Sequence, residues 1–253
     1  MRNRVKAKIL NGEPTVGNWI NLPSPSIVEI MAEIGMDWLV LDTEHGSYGE
    51  EILESMIRAM KGTDVVPIVR VADTNPALIK KALDRGAYGV ICPLVNTAEQ
   101  ARVAVSACRY PPEGMRGVAG TRASAYGKDL GEYFETWNEE VLVICQIETA
   151  EALENVREIA AVDGIDVLFI GPFDLSANLG VFGQIDSDPV TEAIAEIRSA
   201  AQEAGVAVGY YAQDVEEVLQ SFAEDMKFVA IGSEVRFLQA AAEEAYRRIA
   251  DGL

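Results

Sequence analysis

Several short apolar runs of this chain end in polar side chains that could move protons. The one histidine, His45, follows the apolar run 38–41. Imidazole has the ordinary pKa nearest to neutral pH, which suits general acid–base chemistry, and loops at strand ends commonly carry function. His45 is therefore a candidate for proton transfer. The alternative is a loop histidine that only makes hydrogen bonds.

Two carboxylates, Glu148 and Asp174, follow neighbouring apolar runs in the same way. Carboxylates that meet without a cation between them repel each other. Oxygen-only ligation suits Mg²⁺ or Mn²⁺, with water and substrate in the remaining positions. The alternative is that both acids cap the helices that follow, where acids are favoured.

Three further features could bind an anionic substrate. Arg70 ends the run 65–69, where a guanidinium can stabilise a carboxylate or an enolate; the alternative is a surface salt bridge. The segment 171–176 predicts a turn that opens a short helix, whose N–H groups could hold a carboxylate, or else an ordinary Gly-Pro turn. Trp19 could line a pocket or simply pack.

The runs that carry these residues alternate with longer amphipathic segments. Apolar strands that alternate with helices are typical of a parallel sheet covered on both sides. The predicted strands are 15–20, 38–41, 65–69, 89–92, 141–147, 167–170, 206–210 and 228–231. The predicted helices are 26–34, 51–61, 77–85, 98–108, 150–159, 190–204, 215–223 and 234–250.

Eight strand–helix units in 253 residues predict one (β/α)₈ TIM barrel that spans residues 1–253 as a single domain. A doubly wound open sheet is the alternative, but its G-x-G-x-x-G turn does not follow the first strand. In such barrels chemistry gathers at the carboxyl ends of the strands, so the candidates should meet at one rim. Residues 109–137 interrupt the pattern as a long insertion, and residues 171–189 form a second loop.

The composition excludes some partners. A net charge of −19 and an isoelectric point near 4.4 argue against nucleic acid and anionic membrane surfaces. No run approaches the ~18 apolar residues of a membrane span. Cys92, Cys108 and Cys145 are odd in number and lie mostly in apolar runs, which favours buried free thiols. Because the basic N-terminus has no apolar signal stretch, we expect a cytoplasmic protein.

The order of these residues resembles the metal-dependent (class II) pyruvate aldolases of the HpcH/HpaI type. The similarity extends over nearly the whole chain. Five motifs at compatible spacing are far more specific than any one of them. They are Asp42-x-Glu44-His45-Gly46, Pro67-x-x-Arg70, Pro111-Pro112-x-Gly114-x-Arg116-Gly117, Gln146-Ile147-Glu148-Thr149 and Gly171-Pro172-x-Asp174-Leu175-Ser176.

The resemblance implies an aldolase that cleaves 4-hydroxy-2-oxo acids to pyruvate and an aldehyde, or adds the two through a pyruvate enolate. It implies that Glu148 and Asp174 bind Mg²⁺, Mn²⁺ or Co²⁺. Arg70 would stabilise the enolate oxygen, and His45 would take part in proton transfer. Asp84 would work with His45 across a subunit boundary. The implied substrate-binding residues are Trp19, Asp42, Gln146, Gly171, Pro172 and Phe173.

The resemblance also implies a homohexamer, a trimer of dimers that exchange the helix after Glu234. Arg116, Arg122 and Tyr126 of the insertion could shape the aldehyde pocket. Arg236 could attract an anionic substrate at the barrel mouth or pair with an acid on its own helix face, and we expect the second. No strand end carries a lysine for a Schiff base, which favours a metal mechanism.

Other functions remain open at this point. An oxaloacetate decarboxylase or a citryl- or malyl-CoA lyase-like enzyme would use the same enolate, although the acidic chain has no obvious basic patch for CoA phosphates. A barrel that has lost catalysis is a further alternative, which the presence of His45, Arg70, Glu148 and Asp174 together disfavours. The fold alone does not decide, because this barrel hosts many chemistries.

Overall fold

The architecture is a closed ring of eight parallel strands surrounded by helices, and the computed structural model describes it for residues 2–252. Each strand pairs with the next, and the eighth pairs with the first. The predicted (β/α)₈ barrel is thereby confirmed, and the open sheet is excluded. The strands are β1 (Thr15–Ile20), β2 (Trp38–Asp42), β3 (Val66–Arg70), β4 (Gly89–Cys92), β5 (Leu142–Ile147), β6 (Val167–Ile170), β7 (Ala207–Ala212) and β8 (Phe228–Ser233).

The helices cover the outside of the barrel, and most keep to their predicted ranges. The exception is the predicted helix 150–159, which breaks at Asn155 into two short helices. The helices are α1 (Arg4–Leu10), α2 (Pro25–Glu33), α3 (Glu50–Ala59), α4 (Pro76–Asp84), α5 (Ala98–Cys108), α6 (Leu130–Glu140), α7 (Ala150–Glu154), α8 (Val156–Ala160), α9 (Pro172–Asn178), α10 (Asp188–Ala204), α11 (Val215–Ala223) and α12 (Glu234–Ala250).

The sequence pattern does not predict α1 and α6. Helix α1 has only seven residues, and Val5 and Ile9 are its buried apolar side chains, too few to set a clear period. Helix α6 begins in the segment 109–137 that we predicted as an insertion and extends past it to Glu140, and Trp137 is its one buried side chain. A 3₁₀ helix, Arg122–Gly127, precedes it. The insertion is therefore partly helical.

Large apolar side chains fill the barrel interior. Trp38 and Phe228 stack there with ring centroids 3.9 Å apart. Gly17 on β1 leaves room for them, because a Cβ at this position would clash with the Trp38 ring. Val5 and Ile9 of α1 pack against the same cluster. Helix α1 therefore closes the end of the barrel at which the strands begin.

The strand register brings the candidate residues to one rim. Asp42 and Arg70 are register partners at the ends of β2 and β3. Ile147 and Ile170 are partners at the ends of β5 and β6, so the residues that follow them also lie side by side. The candidate catalytic and ligand-binding residues thus lie at the carboxyl ends of the strands, as expected for this fold.

The composition also led to expectations about the state of the cysteines and about membrane-spanning helices. The three cysteines are buried and free, as predicted. Within residues 2–252, no helix has both the length and the apolar character needed to cross a bilayer.

Candidate active site

Arg70 at the end of β3 lies among closely placed carboxylates. Its Nε donates to Oδ1 of Asp42 at 2.9 Å, and its Nη2 donates to Oδ2 at 2.7 Å. Its Nη1 lies 3.0 Å from Oε2 of Glu44. Burial opposes the guanidinium charge, but the hydrogen bond and charge of Asp42 outweigh it and raise the pKa of Arg70. Arg70 is only 9% exposed, so the surface salt bridge we considered is wrong.

Asp42 is a fully buried carboxylate whose oxygens are already engaged. Besides Arg70, it accepts a hydrogen bond from Nδ2 of Asn21 at 3.0 Å. It also accepts the backbone N–H groups of Glu44 and His45, at 3.1 and 3.3 Å. These bonds fix both the arginine and the loop after β2. The structure therefore places Asp42 behind Arg70, where it positions the guanidinium.

Trp19 provides an aromatic surface beneath Arg70. The guanidinium carbon lies 5.4 Å from the centre of the Trp19 ring, within the range of a cation–π contact. The ring also packs against Phe169 and Tyr211, with centroids 5.2 and 5.7 Å away. Trp19 thus both packs inside the barrel and lines the cleft above it.

Glu148 follows β5 and lies in a polar pocket. Its Oε1 accepts the backbone N–H of Leu94 at 2.9 Å, and its Oε2 accepts a hydrogen bond from Nε2 of Gln146. Burial raises the pKa of Glu148 to about 7, and the charge of Asp174 adds to the rise, whereas the Leu94 N–H opposes it. Below that pH, a cation binds this carboxyl only by displacing its proton.

The helices that follow Glu148 and Asp174 are capped by other residues. The side chain of Thr149 caps α7. Gly171 occupies the N-cap position of α9, and Pro172 and Asp174 lie in its first turn. The helix-capping alternative is therefore wrong for Glu148. Asp174 is not the N-cap either, but it lies in the first turn of α9, where an acid is favourable. Asp174 is exposed and lines the cleft.

The oxygen atoms around Glu148 suit a hard divalent cation. Oε1 of Gln146 is buried and has no hydrogen-bond partner within residues 2–252. A Cβ on Gly171 would lie 2.9 Å from both Nε2 of Gln146 and Oε2 of Glu148, so the glycine keeps this space open. In the described part of the chain, no three His, Cys, Asp or Glu side chains are grouped to hold a metal. The protein would thus supply two carboxylates, and other oxygens would complete the coordination.

A cleft of about 260 Å³ collects most of the predicted residues. His45 lines it with a side chain that is 69% exposed, and its Nε2 lies 4.0 Å from Oε2 of Glu44. The backbone of His45 is thus held by Asp42 while its imidazole is available to a bound molecule. The other predicted residues in the lining are Trp19, Arg70, Gln146, Gly171, Pro172, Phe173 and Asp174.

Asp84 does not reach this cleft in its own chain. It ends α4, which returns to the end of the barrel where β4 begins. Its Oδ1 accepts a hydrogen bond from Nη2 of Arg116 at 2.9 Å. Arg116 in turn lies over the Tyr110 and Trp137 rings, at 4.7 and 4.6 Å from their centres. Arg122 donates to the carbonyl after Asp84 at 2.6 Å, so both insertion arginines lie away from this cleft.

Arg236 lies in the cleft, contrary to our expectation that it pairs with an acid on its helix. Its Nη1 lies 3.4 Å from Oε1 of Gln213, and no acidic side chain in residues 2–252 forms an ion pair with it. Tyr211 and Phe169 also line the cleft. The sequence patterns did not single out these two aromatic residues, because only closure of the barrel shows that they face inward.

Glu234 is a further residue that the sequence patterns did not identify. It is 5% exposed at the start of α12. Its Oε1 accepts the backbone N–H groups of Asn21 and Leu22, at 2.8 and 2.7 Å. Since Asn21 in turn donates to Asp42, the start of α12 is connected to the residues that hold Arg70.

The fold and this rim define a class: a (β/α)₈ barrel that carries a fixed arginine and two carboxylates at the carboxyl ends of its strands, the rim where enzymes of this fold have their active sites. Residues 15–241 match the HpcH/HpaI aldolase/citrate lyase family. The chain is 38% identical over 243 residues to a hydroxypyruvate/pyruvate aldolase of Sagittula stellata, with 95% of each chain covered. It is 36% identical over 243 residues to a 5-keto-4-deoxy-D-glucarate aldolase of Shigella dysenteriae, covering 96% of this chain and 94% of the relative.

Solved structures agree with these sequence comparisons. The crystal structure of an HpcH/HpaI aldolase/citrate lyase family protein from Burkholderia cenocepacia superposes with a TM-score of 0.94 at 37% identity. The match covers 98% of this chain and 99% of that one. This chain belongs to the HpcH/HpaI aldolase/citrate lyase family, and it is an aldolase, a carbon–carbon lyase. The resemblance to this family that the five sequence motifs indicate is therefore confirmed.

Proposed function

We propose that this enzyme cleaves 4-hydroxy-2-oxo acids to pyruvate and an aldehyde, and adds the two in reverse, with the help of a divalent cation. The observation that carries the proposal is the fixed Arg70 guanidinium in one cleft with Gln146 and Asp174, where Gln146 is hydrogen-bonded to the buried carboxyl of Glu148. A substrate with adjacent carboxylate and keto oxygens would bind a cation held by the carboxylates, and Arg70 would donate to its keto oxygen. The names of the two relatives, a pyruvate aldolase and a keto-acid aldolase, support it.

Glu148 and Asp174 would hold the cation, which we expect to be Mg²⁺, Mn²⁺ or Co²⁺. When bound, it supplies Lewis-acid stabilisation of enolate charge. Gln146, whose Nε2 donates to Glu148, has an Oε1 without a hydrogen-bond partner in residues 2–252, and Gly171 keeps the space next to Gln146 and Glu148 free of side-chain atoms. The protein's own groups orient the substrate and move its protons.

Arg70 has donors to spare for a developing anion. An arginine carries five N–H donors. Asp42 takes two of them, and Glu44 faces a third. The remaining two have no partner within residues 2–252 and would donate to the keto oxygen of the substrate, on which negative charge grows as the enolate forms. Because the guanidinium is already fixed, little reorganisation is needed at that moment.

Cleavage requires one proton to leave the substrate and one to arrive. A base removes the proton of the 4-hydroxyl, the C3–C4 bond breaks, and the aldehyde departs. The electron pair of that bond forms the enolate, which takes a proton at C3 and becomes pyruvate. His45, with its exposed imidazole in the cleft, is our candidate for these transfers. Pro172, Phe173 and Trp19 line the cleft and would limit its access to water.

We also propose that the enzyme works as a homohexamer, a trimer of dimers that exchange α12. This helix exposes Leu238, Tyr246 and Ile249 at 61%, 74% and 63%, which together form an apolar face typical of an interface. Asp84 lies at the barrel end away from its own cleft. A catalytic role for Asp84 therefore requires a neighbouring subunit.

The experiment that tests the function is exchange of the pyruvate methyl protons in D₂O, followed by NMR. It needs no knowledge of the aldehyde. We expect exchange with Mg²⁺ or Mn²⁺ and none with EDTA. Folded enzyme that exchanges no protons under either condition would overturn the proposal. Release of CO₂ from oxaloacetate without any aldol cleavage would favour the decarboxylase instead.

A further inference from the structure

The residues that hold Arg70 are themselves held by the start of α12. We propose that Glu234 is a positioning residue for the reaction: it fixes Asn21, and Asn21 holds Asp42 in place behind Arg70. Glu234 is not among the residues that line the cleft, so it would act only through its neighbours. The proposal rests on the proposed function for the role of Arg70 and for nothing else.

Glu234 uses one carboxyl oxygen to accept two backbone donors. Its Oε1 accepts the N–H of Asn21 at 2.8 Å and that of Leu22 at 2.7 Å. Distances this short are typical of hydrogen bonds to a charged acceptor. The side chain is buried, so water does not compete for these bonds. The turn after β1 is therefore fixed to the first residue of α12.

Tyr48 holds the same turn from the other side. Its hydroxyl donates to the carbonyl of Ile20 at 3.1 Å. That carbonyl and the N–H of Asn21 belong to one peptide group, which is planar, so the two bonds fix its orientation at both ends. Burial raises the pKa of Tyr48, and the charges of Asp42 and Glu234 add to the rise. The hydroxyl therefore keeps its proton and remains a donor.

The side chain of Asn21 connects this fixed turn to Arg70. Its Nδ2 donates to Oδ2 of Asp42 at 3.0 Å. The same Oδ2 accepts the Nη2 of Arg70 at 2.7 Å. Asp42 is fully buried, so an Asn21 that moved away would leave this oxygen without a donor that water could replace. A displacement at Glu234 would therefore reach the guanidinium through Asn21 and Asp42.

The burial of an acid at this place needs a reason. Among the described residues of α12 (Glu234–Ala250), Glu234 is the one with a buried side chain. Burial of a carboxyl group costs free energy unless hydrogen bonds compensate it, and an apolar residue here would accept none. An acid in the first turn also favours its own helix, which is the alternative role. The two roles differ in what a neutral acceptor can replace.

The rate of exchange of the pyruvate methyl protons, with Mg²⁺ present, separates the two roles. We expect Glu234→Ala to lower the rate constant at saturating pyruvate about 10-fold, with less than about a twofold change in KM, because a displaced catalytic group costs up to about 100-fold. The amide of Glu234→Gln keeps an acceptor oxygen for both N–H groups and should stay within about threefold of the wild type. Glu216→Ala, an exposed acid in the first turn of α11, is the matched control and should change nothing.

A double-mutant cycle tests the route from Glu234 to Arg70. Asn21→Ala should lower the rate constant by itself. In the Asn21→Ala protein, the additional Glu234→Ala change should cost less than about twofold, because the connection to Asp42 is already lost. If the two losses multiply instead, Glu234 acts by another route, and the proposal is wrong.

Hydrogen–deuterium exchange of the backbone, followed by mass spectrometry, tests the same connection without turnover. The N–H groups of Glu44 and His45 donate to Oδ1 of Asp42. In Glu234→Ala we expect both the segment 20–22 and the segment 43–46 to exchange about 10-fold faster, the effect of one lost hydrogen bond. Glu234→Gln should exchange like the wild type, and residues 98–108 of α5 serve as the internal reference.

Tyr48→Phe provides a second variant if Glu234→Ala does not fold. It removes the hydrogen bond at the other end of the same peptide group and should lower the rate constant in the same way. The role of Glu234 is overturned by equal losses in Glu234→Gln and Glu234→Ala, or by faster exchange at 20–22 with none at 43–46. Absence of methyl-proton exchange in the wild-type enzyme would count against the proposed function instead, and the deuterium-exchange result does not depend on it.

Discussion

Asp42 fixes Arg70 through two parallel hydrogen bonds, from Nε to Oδ1 at 2.9 Å and from Nη2 to Oδ2 at 2.7 Å. The two residues are register partners on neighbouring strands, so the sheet itself sets their separation. A bidentate pair fixes the plane of the guanidinium as well as its distance. Arg70 is therefore oriented toward the cleft before any substrate arrives.

Loss of this pair should slow the chemical step. We expect Asp42→Asn to lower kcat by about 10- to 100-fold with a smaller change in KM, because a misplaced charge-stabilising donor costs transition-state binding. Asp64→Asn makes the same chemical change at an exposed ion pair with Arg4 and should leave kcat unchanged. A rise in KM alone would show that Asp42 contacts the bound substrate instead.

The two proposed metal ligands should be required for cation binding but not for folding. We expect Glu148→Gln and Asp174→Asn to abolish turnover and to weaken Mn²⁺ binding, measured by electron paramagnetic resonance, while circular dichroism stays unchanged. Glu151→Gln, in the exposed first turn of α7, is the matched control and should bind Mn²⁺ normally. Full turnover by the wild-type enzyme in EDTA would contradict the assignment.

The raised pKa of Glu148 gives the metal-free protein a defined pH dependence. Burial raises this pKa from 4.5 to about 7. The neutral carboxyl therefore contributes stability below about pH 4.5 that is lost as pH rises through 7, by up to about 3 kcal/mol. In EDTA, the free energy of unfolding of the wild-type protein should fall from pH 5 to pH 8 relative to that of Glu148→Gln. If the free energy of unfolding varied with pH in the same way for the two proteins, the raised pKa of Glu148 would be refuted.

A shared active site predicts complementation between two inactive variants. We expect His45→Asn and Asp84→Asn to be inactive alone. Mixed oligomers would pair an intact His45 with an intact Asp84 from the neighbouring subunit in about a quarter of sites. Activity should therefore return when the two chains are co-expressed. If hybrids form and stay inactive, Asp84 serves its own chain, through its ion pair with Arg116.

The order of the eight strands, and the rim on which the candidate residues lie, could be predicted from the amino-acid sequence, whereas α1 and α6 could not. Apolar β-branched runs that alternate with amphipathic segments predict parallel strands, and all eight predicted strands are present. In a parallel barrel every strand ends at the same rim. For that reason His45, Arg70, Glu148 and Asp174 could be placed together without knowledge of any contact.

The contacts between these residues depend on how the barrel closes, and the sequence pattern does not predict them. Closure of the barrel pairs β1 with β8 and brings Glu234 to Asn21, 213 positions away in the chain. The same closure places Arg236 in the cleft, whereas the sequence predicted a pair on its helix. The family resemblance implied that Asp42 binds the substrate, whereas in the structure its carboxylate contacts Arg70. The spacing of apolar residues along a helix or strand indicates which of its faces is buried. Which residue that face contacts across the closed barrel depends on the geometry of all eight strands.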